Sequence, residues 1–455
     1  MMTYTALRNT PARIRQAAGS MLAQNTGWAL VAEAVRLGAA LGTFVVVTHL
    51  LPPSDYGVYV GTLGLMWFVL PFASCGASYL LLQRVAGEGI DLATAVARAN
   101  GMVVGGGVVA VLVLAAARPV LLPQTSATVM VLLAIAELIF GGLHDVAMLA
   151  CQALERLRLS VYLRLLQGVS RLIAAVALVV VVPSASLTQW AWLHLATAAF
   201  AALVAQVLLR VPGGRRLPFR MPRMLEVRSG LPFSVGFGAD KLRESADSML
   251  LLRIGTSADA GIFGAAIRLT GFVVTPLRAL IASSNATFFR AGASSVAATR
   301  SVARRVTGLG AAYAVVASIV VAVGGPAAVS VLSAEYASAG DAVRILSVLP
   351  IAVAAEAFVA TAMTAIGHQR VRVRSTLIST SLNILLNFAL IPDYGWRGAV
   401  IASLTASAVN ATILWSTLMV LAGRERRGSG SSTDRRRPWL RRASAPSHND
   451  PGGSR

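Results

Sequence analysis

Apolar residues run along this chain in long blocks, interrupted by short segments that carry arginine. Twelve blocks are long enough to cross the roughly 30 Å hydrocarbon core of a bilayer as helices. They lie at 28–50, 58–82, 101–121, 127–150, 161–182, 187–209, 230–253, 260–285, 305–325, 342–366, 374–392 and 397–421. The seventh block differs from the rest. Gly230 to Ile254, GLPFSVGFGADKLRESADSMLLLRI, holds Asp240, Lys241, Arg243, Glu244 and Asp247 between apolar flanks. At about 100° per residue, Asp240, Arg243, Glu244 and Asp247 fall on one helix face. Each charge left at mid-bilayer costs roughly 2.5–3.5 kcal/mol, so this face is expected to line a wet interior rather than meet lipid. The competing reading is internal neutralisation, through Asp240–Arg243 and Arg243–Asp247 pairs.

Composition turns the pattern into a class. The chain has 455 residues, 56% hydrophobic and 13% charged, with a net charge of +21 and a mean hydropathy of +0.69. A soluble globular domain does not have that balance; a polytopic membrane protein does. The charge does not mark a nucleic-acid surface, because it sits between the apolar blocks. Segments expected on one side of the membrane, tail included, hold 30 arginines, while the opposite loops hold only Arg118, Arg253, Arg344 and Arg397. That asymmetry places both termini in the cytoplasm and favours an even number of spans. Lysine is nearly absent beside abundant Ala, Val and Arg, the usage of a GC-rich bacterial genome, so the expected location is a bacterial cytoplasmic membrane. Cys75 and Cys151 lie in or beside apolar blocks and suit neither a disulfide framework nor a metal site. The opening MMTYTALRNTPARIRQ is too polar for a signal-peptide core, so the first span is expected to be retained.

The chain also repeats itself. At an offset of 204, Asp55-Tyr56-Gly57-Val58-Tyr59 lies over Asp259-Ala260-Gly261-Ile262-Phe263. At an offset of 212, Ala153, Arg158 and Ala177-Leu178 lie over Ala365, Arg370 and Ala389-Leu390. Six spans per half is an even number, so the halves enter the membrane in the same direction, related by an axis along its normal. The expected organisation is an N-terminal segment at 1–22, an N-lobe at 23–210, a basic linker at 211–229, a C-lobe at 230–422 and a disordered basic tail at 423–455.

These residues resemble a family. The stretch Asn25 to Ala86, with Leu51-Pro52, the Asp55 to Tyr59 motif, Gly76 and Arg84, is similar to the opening of the polysaccharide flippases, the Wzx-type O-antigen transporters. Those belong to the multidrug/oligosaccharidyl-lipid/polysaccharide (MOP) exporter superfamily. Gly230-Leu231-Pro232-Phe233, Ala260-Gly261-Ile262-Phe263, Ala265-Ala266 and Arg268-Leu269 repeat the pattern, and the resemblance spans Ala23 to Ala422. It implies an all-α membrane protein of about twelve helices, in two parallel six-helix lobes around a central cavity, as in MATE transporters. It further implies alternating-access movement of a polyprenyl-diphosphate-linked oligosaccharide, with membrane lipid and glycosyltransferases or a polymerase of the same pathway as partners. Twelve spans rather than fourteen argue against the peptidoglycan-precursor branch.

A diphosphate favours guanidinium, whose forked donors never deprotonate. Substrate candidates in the cavity are therefore Arg36, Arg171, Asp240, Lys241, Arg243, Glu244, Asp247 and Arg268. Arg36 follows Glu33 by three residues, which also fits an internal pair. Glu33, Glu137 and Glu356 are candidates for a coupling proton or sodium ion. Glu137 and His144, seven apart, are expected on one face of the fourth span, where a packed polar histidine competes with a proton relay. No phosphate-binding GxxxxGK[ST], HExxH or nucleophile elbow occurs, so neither an enzyme nor a resident cofactor is expected. Rival readings are a multidrug cation antiporter, which favours an acidic, aromatic cavity, and a non-transporting assembly partner.

Overall fold

The computed structural model describes residues 12–88, 90–182, 185–209, 220 and 224–429. The expected N-terminal segment, linker and tail lie largely outside that range. The described residues form helices and turns, in fifteen α-helices. In the N-lobe these are α1 (Ala12–Leu50), α2 (Pro53–Ala73), α3 (Ala77–Glu88), α4 (Leu92–Leu121), α5 (Ala127–Ala134), α6 (Gly142–Ala153), α7 (Leu157–Val181) and α8 (Leu187–Leu208). In the C-lobe they are α9 (Met224–Ile254), α10 (Ser257–Ser294), α11 (Val296–Val329), α12 (Ala339–Leu346), α13 (Leu349–Ala365), α14 (Gln369–Tyr394) and α15 (Trp396–Ser429). Eleven of the resulting spans are long and apolar enough to cross a membrane. The twelfth is α9, which its own charges disqualify on composition.

Turn chemistry sets several helix starts. Asp91 caps α4 by accepting from the Thr94 amide at 3.0 Å, a bond that holds its carboxyl below the usual carboxylate range. Ser186 and Gln189 form a reciprocal capping box on α8. Thr256 caps α10, and Glu425 reaches from α15 to the Val296 and Ala297 amides of α11.

Two interruptions were not expected. The second span, 58–82, is not continuous: α2 stops at Ala73, and the chain turns through Cys75 and Gly76 at φ 47° and 63° before α3 begins. A Cβ on Gly76 would lie 2.6 Å from the Gly230 carbonyl oxygen, so the turn needs glycine for both its backbone angle and its neighbour. The fourth span contains a π-helical turn at Ile135–Gly141. Glu137 and His144 both meet α8: Glu137 lies against His194, and His144 places Nδ1 3.4 Å from the Ala201 carbonyl, seven residues further along that helix. At the linker, α9 begins at Met224, before the expected boundary at 230.

The hydrophobic core is forked. One cluster draws on both lobes, from Phe44, Leu51, Met66, Leu133 and Trp190 to Leu251, Phe263, Tyr336 and Trp396. At the arginine-rich end it gives way to two separate cores. One is built in the N-lobe around Val96, Val146 and Leu163, the other in the C-lobe around Phe288, Phe358 and Leu414. The lobes thus share one core at the arginine-poor end and keep separate cores toward the other, where α9 still packs on the N-lobe. Their seam is α2 packed along α9 and α10, with α3 touching α9. Glycines permit that approach: a Cβ on Gly61 would lie 2.7 Å from Leu252, and one on Gly64 3.3 Å from Ser245. At the arginine-rich end, Glu226 of α9 receives Arg84 at 2.9 Å and Arg98 at 2.6 Å. Large apolar side chains such as Leu112, Val181, Leu203, Val323 and Leu385 stay exposed on the rim, where a soluble protein would place polar ones.

Candidate functional site

The polar residues of the interior collect where the shared core divides. On α7, Arg171 lies between Leu163 of the N-lobe core and Ala175 of the shared core. On α10, Arg268 lies between Ala266 of the shared core and Leu277 of the C-lobe core. Glu137, in the π-helical turn, lies between Ala134 of the shared core and Leu143 of the N-lobe core.

In the N-lobe these residues form one network. The Glu137 carboxylate lies 2.7 Å from His194 Nε2 and accepts from Trp67 Nε1 at 3.1 Å. Arg171 approaches the same carboxylate at 3.6 Å. His194 Nδ1 lies 3.0 Å from the Tyr59 hydroxyl. Arg171 also comes within 3.2 Å of His194 Nε2, but that nitrogen cannot donate to Glu137 and accept from a guanidinium at once. The shorter contact assigns the proton to Nε2, leaving Nδ1 to accept from Tyr59 and Arg171 to pair with Glu137. Arg171 Nε remains buried with no hydrogen-bond partner among the described residues. His194 was not singled out from the sequence: its partners Tyr59 and Glu137 are 135 and 57 residues away.

Arg268 crosses from the C-lobe to the N-lobe. It donates to the Tyr56 hydroxyl at 3.2 Å and lies over the Phe44 ring at 5.9 Å. Among the described residues no carboxylate pairs with it. A guanidinium in a largely apolar setting normally finds an anion. With Arg171 balanced by Glu137, the branch point carries an excess positive charge.

The charged face of α9 does not behave as one surface. Arg243 reaches Glu356 of α13 at 2.5 Å, and Glu356 also accepts from Asn410 at 2.8 Å. Asp247 faces α14 and α15, accepting from Asn383 at 3.1 Å, from Asn387 at 2.8 Å and from Ser403. The internal pairs Asp240–Arg243 and Arg243–Asp247 therefore do not form; both partners turn instead to other C-lobe helices. Lys241 pairs with Glu244 at 2.8 Å and faces the N-lobe, while Asp240 is exposed. Glu33 and Arg36 pair with each other at 2.5 Å, as their spacing allowed.

Beside α9, the N-lobe holds a cavity of about 360 Å³ lined by Trp67, Tyr79, Asp145, Arg164 and Lys241, among others. Its Lys241 and Phe237 come from the C-lobe helix α9, and Phe237 stacks on Tyr79 of α3 with ring centroids 3.7 Å apart.

A profile of polysaccharide biosynthesis proteins matches residues 22–288, more than half of the chain. The chain belongs to that family. No curated protein matches the sequence. Among solved structures, this polysaccharide biosynthesis protein is similar to an inward-facing multidrug-resistance MATE transporter of the MOP superfamily. The TM-score is 0.70 at 13% identity, over 86% of this chain and 98% of that one. It is also similar to the lipid II flippase MurJ in an inward closed conformation, with TM-score 0.67 at 9% identity, over 86% and 87%. A third likeness is to a MOP superfamily transporter from Pyrococcus furiosus, described as having a binding pocket of reversed polarity. Its TM-score is 0.58 at 14% identity, over 86% and 94%. Family and membrane-spanning helices make the polysaccharide biosynthesis protein a multi-pass membrane protein, with the fold seen in the MATE and MurJ structures.

Proposed function

We propose that this protein moves a polyprenyl-diphosphate-linked oligosaccharide between the leaflets of a bacterial cytoplasmic membrane, by rocking its two lobes about the shared core. The observation that carries the reading is Arg268. It is a cross-lobe guanidinium held by a phenol and a ring, without a carboxylate among the described residues, where the shared core divides. A diphosphate supplies the missing charge and accepts forked hydrogen bonds from such groups. The positive-inside rule puts the arginine-rich end in the cytoplasm, where lipid-linked precursors and the glycosyltransferases that build them are reached. A multidrug cation antiporter of the same fold calls for the opposite charge at this point.

Coupling belongs to Asp247 in this reading. Its neighbours Asn383, Asn387 and Ser403 donate to its carboxylate and include no base, and Asn387 Oδ1 is buried without a partner among the described residues. A carboxylate with amide and hydroxyl oxygens suits a hard cation such as sodium, or a proton on Asp247 itself. Glu356 and Glu33, each already paired with an arginine, serve as structural counter-charges.

The direct test is binding of farnesyl diphosphate to the full chain in nanodiscs, compared with farnesol. Diphosphate-dependent binding that weakens by about tenfold to a hundredfold in Arg268→Gln, the scale of a lost charge-assisted bond, supports the reading. Equal binding of farnesol and farnesyl diphosphate overturns it.

A further inference from the structure

Trp67 belongs to two places at once. Its indole N–H is held by Glu137 in the branch-point network, and the residue lines the N-lobe cavity. The hydrogen bond fixes the ring, so the cavity has a rigid aromatic wall. Tyr79, itself stacked on Phe237, adds a second aromatic side chain to the lining. The polar lining is of a particular kind. Asp145 has no hydrogen bond or ion pair among the described residues. Gln152 directs its amide nitrogen to Ser160 at 3.5 Å and keeps its carbonyl oxygen free to accept. Arg164 and Lys241 complete the set.

Three ligand classes can be weighed against that lining. An organic cation would find aromatic rings and Asp145, but Asp145 is offset by Arg164, and Lys241 by its partner Glu244, so the lining offers it no net negative charge. An apolar tail would leave Asp145 and Gln152 desolvated without partners, which disfavours it. A pyranose has apolar C–H faces for a ring to cover and a rim of hydroxyls that donate to carboxylate and amide oxygens. It also accepts from guanidinium and ammonium. The volume of about 360 Å³ lies within the roughly 300–1,000 Å³ that small-ligand sites occupy.

We propose that this cavity is a saccharide subsite, taking one neutral or acidic pyranose unit of the lipid-linked chain against Trp67. Asp145 and Gln152 receive its hydroxyls. The proposal rests on the flippase reading, and it separates the cargo into two parts: diphosphate at Arg268 and sugar in the N-lobe cavity. The lobes meet at the mouth of this subsite through Tyr79 and Phe237, so rocking them apart alters the sugar's wall while leaving the Trp67 platform in the N-lobe.

Saturation-transfer NMR on the full chain in nanodiscs tests it, using free hexose, N-acetylhexosamine and hexuronate, with tetraphenylphosphonium as the rival cation. The variants are Met148→Trp, which fills the cavity, Asp145→Asn combined with Gln152→Ala, and Arg268→Gln. Farnesyl diphosphate binding checks that the cavity variants are folded. The expected result is a sugar signal in the wild type and in Arg268→Gln that falls by about tenfold in the two cavity variants. Three outcomes overturn the subsite: no sugar signal, a sugar signal indifferent to the cavity variants, or displacement of sugar by tetraphenylphosphonium. In each of these, diphosphate binding that still depends on Arg268 leaves the flippase reading standing; its loss removes that reading separately.

Discussion

Gly57 of α2 and Gly261 of α10 make the same contact from opposite sides. A Cβ on Gly57 would lie 1.8 Å from the Ser257 carbonyl oxygen, and a Cβ on Gly261 would lie 1.9 Å from the Pro53 carbonyl oxygen. Both pairs obey the 204-residue offset of the internal repeat. A self-complementary contact of this kind marks a two-fold axis, here between the lobes at the arginine-poor end. Gly57→Ala and Gly261→Ala are expected to destabilise that end by similar amounts, about 1–3 kcal/mol each, because backbone rather than flexible side chains must move. Thermal unfolding of the detergent-solubilised protein measures this. A neutral effect in either variant would show that the helices are not in this contact.

The arginine-rich end has its own fastening, Glu226 between Arg84 and Arg98. Glu226→Gln removes the charge that both guanidiniums share while keeping the volume. Breaking a fully buried pair costs roughly 3–5 kcal/mol. The arginine side chains here are 18% and 24% exposed, so a smaller loss, about 1–3 kcal/mol, is expected. A lowered unfolding midpoint restored by the double variant Glu226→Gln with Arg98→Met would assign the cost to the unpaired charge.

Much of the fold was legible. Twelve apolar blocks map onto the twelve spans, including α9, where charge density competed with length. What escaped the sequence lay in the backbone and at long range. The break at Cys75–Gly76 is hidden because apolar residues continue through it. The π-turn at Ile135–Gly141 has no residue signature, and the partner that Glu137 finds on α8, His194, is 57 residues away in the chain. The local Glu33–Arg36 pair followed from spacing. The Arg243–Glu356 contact did not, because helical periodicity reports a residue's face and not which of several neighbouring helices that face meets.

Glu137 holds three partners of different kinds, and two substitutions separate them. Glu137→Gln keeps one acceptor oxygen, enough for Trp67 or His194 but not both, and leaves Arg171 without its counter-charge. Cargo transport in proteoliposomes is expected to fall by about tenfold or more, with folding retained. Trp67→Phe keeps the charge balance and loses only the fixed indole. It is expected to lower transport less, and an equal loss in both would contradict the role given to the Arg171–Glu137 pair.

Asp247 is the expected coupling group, and its variants distinguish ion coupling from packing. Asp247→Asn keeps the shape and hydrogen bonding to Asn383, Asn387 and Ser403 but removes the charge. Transport in proteoliposomes is expected to lose its dependence on an imposed sodium or proton gradient while downhill exchange persists. A variant that remains gradient-driven would move the coupling site elsewhere.

The central claim is that the cross-lobe guanidinium of Arg268 receives an anionic, lipid-borne cargo. The most direct measurement is leaflet-to-leaflet movement of a fluorescent polyprenyl-diphosphate-linked saccharide in proteoliposomes, for wild type, Arg268→Lys and Arg268→Gln. The expected order is wild type first, Arg268→Lys reduced because an ammonium lacks the fork, and Arg268→Gln close to protein-free vesicles. Full activity in Arg268→Gln would contradict the account.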